Sequence, residues 1–500
     1  MRRGRALTLA VTRVVMGTSL LAPALVCGVP SVARADEPVA AREPRLMSET
    51  AEITSVADAF DGEDPFDLNL VLGFRQSWKH ASIRRETQLN QPGLATGGFI
   101  PATENVAAYS SSMSILDVGA DIGIYHDLAL ILRLPVILSW SQSLGDLNGS
   151  AATASQRLGD GMGGQLFSVP FTSPTRSGID YISAGLDWAI FNQQRDFTKP
   201  TWVIGVEGRL PIGNPLHACN ATNSGSTQCF DGSHPELGVH QGVDPGISTG
   251  FYSVLAKTVW SRRFGYLEPY SGFWFQADFP SSGSDFGKFN PTQALTSTPP
   301  LRGSFGLGME VIPYEQRETF QRLDIDFRLK GTYISPGRDY SELFDALGSS
   351  NSQALRTPNP TVYCNSSQSS CLNNPINPST SVPSDFVTKT YFTGITETQA
   401  YGAFTVSTAA TWQAGEYIKF QVGGALTYAQ SHHITQADPC NPNLGGGDRY
   451  QAGPCFNPNT GQVQGVPNPD HRDVLDLPGH RFAVDDSTII DLFVTGIVMF

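Results

Sequence analysis

Between Thr319 and Ile334 charge and apolarity alternate: Arg322, Asp324, Asp326, Arg328 and Lys330 take one parity, and Leu323, Ile325, Phe327, Leu329 and Tyr333 the other. A helix would mix the two sets around its circumference, whereas a strand sorts them onto opposite faces. Charges sharing one face of a strand either pair with one another or line a path for a charged solute. Arg322, Arg328 and Lys330 are the candidate basic strip, expected to face Glu310 and Asp278 on neighbouring strands.

Two other groupings invite a chemical reading. Ser431-His432-His433 sets a hydroxyl beside imidazoles but has no evident third, orienting member, so a solvated loop is expected and enzymatic activity is not. The glycine run Leu444–Gly447 lacks the strand-to-helix setting of a phosphate loop. Beyond Cys27, the cysteines fall into three sequence-local pairs, Cys219 with Cys229, Cys364 with Cys371 and Cys440 with Cys455, each among Asn, Ser, Gly and Pro. Disulfides that pin irregular loops are the expectation. The rival is zinc, since His217 precedes Cys219 by two residues, but no CxxC spacing is present. No metal and no cofactor is expected.

The elements that must position these residues are strands. Twelve alternating segments run Phe66–Trp78, Ser112–Tyr125, Leu128–Ser141, Gly178–Phe191, Thr201–Ile212, Gly246–Trp260, Tyr266–Phe279, Leu301–Pro313, Thr319–Ile334, Gln399–Trp412, Tyr417–Gln430 and Arg481–Phe500. The connections between them alternate long and short, and all three cysteine pairs fall in long ones. That asymmetry, with the unbroken apolar parity Leu128, Leu130, Leu132, Leu134, Val136 and Leu138, predicts an all-β fold: a transmembrane antiparallel up-and-down β-barrel of about 12 strands. Short turns would lie on the periplasmic side and long loops outside. A soluble sandwich would also alternate, without explaining the loops. Tryptophans support the barrel: Trp78 and Trp140 fall at expected outer strand ends, and Trp188, Trp202, Trp260 and Trp412 near the inner ends, where aromatic girdles form.

Inward parity collects twelve acids, Asp67, Asp117, Asp121, Asp187, Glu207, Glu268, Asp278, Glu310, Asp324, Asp326, Asp485 and Asp491, and nine bases, Arg75, Arg133, Arg209, Lys257, Arg302, Arg322, Arg328, Lys330 and Lys419. Composition narrows the class further. Of 500 residues 50 are Gly and 34 Pro, too many for long helices, while 50 aromatic residues exclude a disordered chain. Arg2, Arg3, Arg5 and Arg13, an apolar run and Ala33-Arg34-Ala35 read as a signal peptide over residues 1–35. Residues 36–65 read as a flexible periplasmic leader and 66–500 as the barrel. Losing the arginine-rich signal takes the net charge from −13 to −18, which argues against a nucleic-acid partner.

The chain closes on Leu492, Val494, Val498 and Phe500 along one face, with Asp491 on the other. This ending resembles the assembly signal of Gram-negative outer-membrane β-barrels, which implies residence in outer-membrane lipid, contact with the barrel assembly machinery and Phe500 as the recognised end. Gly205-Val-Glu-Gly-Arg-Leu-Pro-Ile-Gly213 and Leu132-Arg-Leu-Pro135 also resemble strands of transporter-like barrels associated with phenol degradation, although Ile212 stands where that family more often has Thr. The resemblance implies a channel passing a small solute; the alternative is a surface-exposed binding or adhesion barrel acting through its pinned loops.

Overall fold

The computed structural model describes residues 51–60, 67–90, 99–147, 157–160, 163–222, 226–290, 294–356, 391–441, 456–457, 462–463 and 466–500. Twelve long strands carry the alternating segments: β1 Leu68–Asn90, β2 Phe99–Tyr125, β3 Leu128–Asp146, β4 Tyr181–Phe191, β5 Thr201–Pro211, β6 Phe251–Ser261, β7 Leu267–Pro280, β8 Arg302–Gln316, β9 Gln321–Ile334, β10 Tyr401–Gly415, β11 Ile418–Ala429 and β12 Phe482–Met499. Sequence neighbours pair antiparallel throughout, and β12 returns to β1 with Asn69 opposite Met499 and Arg85 opposite Phe482. Phe500 finishes the seam. Its N–H donates to the Leu68 carbonyl at 2.9 Å, and Leu68 N–H donates back at 3.1 Å. A sheet closed in this way leaves no edge to be satisfied by water, the condition for crossing hydrocarbon with strands.

The outer face is apolar and bare. Leu72, Phe74, Leu186, Val206, Phe273, Leu307, Phe327, Leu329, Val406, Val422, Leu492 and Val494 all stand exposed, the reverse of a soluble fold and the surface a bilayer solvates. The architecture is that of an outer-membrane β-barrel. At the short-turn rim Trp202 stacks on Trp260 with Phe191 tilted against it, and Tyr314 stacks on Trp412 at 5.8 Å. These rings form the expected girdle at that rim.

Local chemistry moves several boundaries. The stretch Lys79–Ser111, expected as a loop, is mostly strand: β1 and β2 stay paired out to Asn90 opposite Phe99. Its polar residues mask the pattern, while Ala81, Ile83, Val106 and Ala107 bury against the long connections. Trp140 leaves the outer girdle because a bulge sets Ser114 opposite Ser139 but Ile115 opposite Ile137. The extra residue flips parity, and the indole packs with Ile115, Ile137 and Ile247. The sixth segment becomes strand only at Phe251, since Gly246 and Gly250 sit at φ 65° and 71°. A Cβ at Gly246 would also overlap the Pro215 carbonyl.

The leader is corrected as well. Residues 51–60 are folded, with a 3-10 turn over Glu52–Thr54 and Ala51, Thr54, Ala57 and Ala59 buried. The segment crosses the short-turn mouth of the barrel. Ala59 N–H donates to the His126 carbonyl at 3.0 Å, and the Thr54 and Ser261 hydroxyls bond at 2.8 Å. Gly123 makes room for it, because a Cβ there would collide with the Asp58 carbonyl.

Candidate functional site: the barrel lumen

Strand parity sends the charged set into the lumen with one correction: an extra residue in β12 puts Asp485 on the outer face, 2.6 Å from Arg84. In the lumen a cavity of about 550 Å³ is lined by Asp121, Arg133, Asp187, Lys257, Asp326 and Lys330 among others. A second cavity of about 320 Å³ shares Asp187, Lys257, Trp274 and Lys330 with it and reaches Arg209 and Arg302. Glu52, Ile53, Ser55, Val56 and Ala57 floor the first cavity.

Charges in a confined space are costly unless paired or hydrated. Here pairing is nearly complete. Arg133 meets Asp121 at 2.6 Å, Lys257 meets Asp187 at 2.5 Å, Arg209 meets Glu207 at 3.1 Å and Arg302 meets Asp278 at 2.7 Å. Arg75 lies 3.5 Å from Asp117. At the mouth Arg322 bridges Glu310 at 2.9 Å and Asp324 at 2.6 Å, and Lys419 holds Glu52 at 2.8 Å. Glu310 also accepts the Glu52 N–H at 3.2 Å. Cross-strand register sets Glu268 beside Glu310 and Glu310 beside Asp326. Like charges placed so repel, and Arg322 in their midst offsets that repulsion.

The expected basic strip is therefore not one strip. Arg322 is consumed by the mouth network, and Arg328 pairs with Asp326 at 3.2 Å. Asp278 does not face it, because β8 separates β7 from β9 and Arg302 of β8 takes its carboxylate. Of the nine inward bases only Lys330 makes no ion pair among the described residues.

Sequence reasoning missed what holds these cations. Tyr270 and Trp274 of β7 lie across β8, where Gly308 and Gly306 face inward. A Cβ at Gly308 would strike the Tyr270 ring and one at Gly306 would meet Trp274 at 2.9 Å. On the far side, Arg328 sits over Tyr270 at 5.5 Å and Lys330 over Trp274 at 5.3 Å. The legible signal was Gly306-Leu-Gly308 on the inward parity of a strand, which leaves space for a neighbour's ring.

Opposite the mouth, the described parts of the long connections pack into a cap. One apolar cluster joins Leu158, Leu166, Phe171, Leu347, Leu475 and Phe482, and another joins Leu216, Phe251, Phe286, Phe344 and Ile395. The Cys219–Cys229 disulfide forms, buried in this cap. Cys364, Cys371 and Cys455 lie outside the described residues, and with them the other two expected pairs. A buried ion pair ties three connections together: Arg176 grips Asp345 through both oxygens, at 2.7 and 2.9 Å, and Cys219 N–H donates to the same carboxylate at 2.9 Å.

His432 stacks on Tyr401 with ring centroids 3.7 Å apart, and its Nδ1 lies 2.8 Å from the Gln430 carbonyl. His433 meets Glu86 at 3.1 Å, so both imidazoles are taken up structurally.

Burial in the cap pushes the Glu397 carboxyl up to about 8 and Asp476 up to about 6. A carboxyl raised in the folded state binds its proton more tightly there than when unfolded. The associated stability is full below the ordinary carboxyl range and is lost as pH rises to about 6 for Asp476 and towards about 8 for Glu397, at up to about 1 kcal/mol per unit per group. Proteolysis of the cap should therefore quicken between pH 5 and 8, and Glu397→Gln should flatten that dependence. A pH-independent rate in the parent protein would refute it.

No family model and no curated protein matches the sequence. Among solved structures, a Pseudomonas aeruginosa FadL homologue shares 10% identity at a TM-score of 0.30, over 87% of this chain and 90% of that one. An outer membrane channel from Pseudomonas putida F1 shares 10% at 0.29, over 86% and 95%. The outer membrane protease OmpT of Escherichia coli shares 8% at 0.27, over 87% and 96%. Likeness at these scores assigns no function, and the chemistry has to be read from this lumen's own side chains.

Proposed function

We propose that the protein is an outer-membrane channel that passes a small solute through its lumen, with the short-turn rim periplasmic and the cap outside. The observation that carries this reading is the pair of adjoining, charge-lined cavities between the folded segment 51–60 and the cap. A barrel that acted only through its surface would be served by a packed interior. Here the interior charges border space, and paired walls of both signs suit a hydrated path. Bilayer lipid covers the apolar belt, and Phe500 is the end that the assembly machinery would receive. The test is solute flux into liposomes holding the refolded full chain: uptake of a small uncharged sugar above that of empty liposomes is expected, and uptake equal to empty liposomes would refute the channel.

A further inference from the structure

The wall formed by β7, β8 and β9 contains the same unit twice. In each, a ring from β7 lies over an inward glycine of β8 and reaches a cation on β9. The first is Tyr270, Gly308 and Arg328, with Gly308 directly opposite both of the others. The second is Trp274, Gly306 and Lys330, with Gly306 opposite Lys330.

The first unit carries its own anion. Arg328 Nε donates to the Tyr270 hydroxyl at 2.9 Å, that hydroxyl donates to Asp326, and Arg328 closes on Asp326 at 3.2 Å. In the second unit the residue two before the cation is Arg328, another base. The indole has no acceptor to offer. No carboxylate among the described residues reaches Lys330, although it lines both cavities. Beyond it stand hydroxyls: Thr332, bonded to Ser304 at 2.9 Å, and Thr405, directly across from Lys330 on β10.

We propose that this second unit is a binding subsite completed by its ligand, and that the missing group is the carboxylate of a small organic acid whose apolar body rests on the Trp274 indole. An ammonium held over a ring, beside hydroxyls and open to a cavity, takes an anion by a charge-assisted hydrogen bond. The indole supplies contact area for a flat apolar body. Other inward cations are already neutralised by fixed carboxylates, so the anion is held at one place while the rest of the wall stays neutral to it. The assignment deepens the channel reading by giving the solute a chemical class, and it rests on that reading for the route by which solute arrives.

Calorimetric titration of the refolded full chain in detergent with benzoate, and with benzamide as its uncharged counterpart, tests the subsite. Benzoate should bind at least tenfold more tightly than benzamide. Lys330→Gln should weaken benzoate at least tenfold, while Lys330→Arg, which keeps the charge, should stay within threefold. Each variant is first checked for the parent's heat-modifiable migration, and Lys330→Met serves if the Gln variant does not fold. Benzoate binding equal in parent and Lys330→Gln, benzamide binding as tightly as benzoate, or no benzoate binding would each overturn the subsite. Uncharged-sugar flux does not depend on Lys330. Flux without Lys330-dependent binding removes the subsite and leaves the channel, whereas binding without flux supports the subsite and removes the channel.

Discussion

Glu52→Ala is expected to raise solute flux about tenfold, and excision of residues 51–60 to raise it further. The reasoning starts from what the segment costs to hold. Ordering ten residues costs about 1–2 kcal/mol each in backbone entropy. Against that stand four small buried side chains, the Ala59 and His126 backbone bond, the Thr54 and Ser261 hydroxyl bond and the two contacts of Glu52. The ordering cost offsets most of what these contacts contribute, so the covered mouth is favoured by only a few kcal/mol, and single contacts set the small fraction of time it is open. A hydrogen bond to a charged group is worth about 1.5–3 kcal/mol. Losing the Lys419 contact therefore shifts a two-state mouth by about a factor of ten or more. Lys419→Ala should act in the same direction, since it removes the same bond from the other side. Flux unchanged by both substitutions and by the excision would show that the segment does not limit passage.

The ladder at β9 was readable because one buried and one lipid-facing side impose a strict two-residue period, and any slip would bring five charges into the membrane. The same logic made twelve strands and a closing Phe500 legible. It failed where the period is broken or the environment is not two-sided. Trp140 follows a bulge, and one inserted residue moved it from the girdle to the cap. The β1 and β2 extensions face the cap, where polar residues on the outward side remove the apolar parity. Partners across the lumen were illegible for another reason. Period gives the face but not the neighbour, so Arg322, Arg328 and Lys330 read as equivalent. They differ because Glu52, 270 residues upstream of Arg322, enters the mouth, and because rings from β7 reach β9 over glycines. Residues 51–60 carry no period at all, and their order comes entirely from the barrel they enter.

Asp345→Ala should loosen the cap while leaving the barrel intact. The Arg176 and Asp345 side chains are 1% and 3% exposed, and Arg176 also donates to the His217 carbonyl at 2.9 Å and lies over Trp140 at 5.6 Å. Three connections meet at this pair, one bearing Arg176, one His217 with Cys219, and one Asp345. Removing the carboxylate leaves a guanidinium buried without its counter-charge and strips Cys219 N–H of its acceptor. Breaking such a pair costs about 3–5 kcal/mol, a large share of what holds a cap assembled from loops. Limited proteolysis should then cut within the cap at a rate raised at least a hundredfold, with heat-modifiable migration of the barrel unchanged, because the strands close through their own register. Replacing both partners, as Arg176→Met with Asp345→Leu, should cost less than Asp345→Ala alone, since no charge is left stranded. A cap equally protease-resistant in Asp345→Ala and parent would mean that apolar packing of Leu216, Phe286 and Phe344 holds these connections without the ion pair.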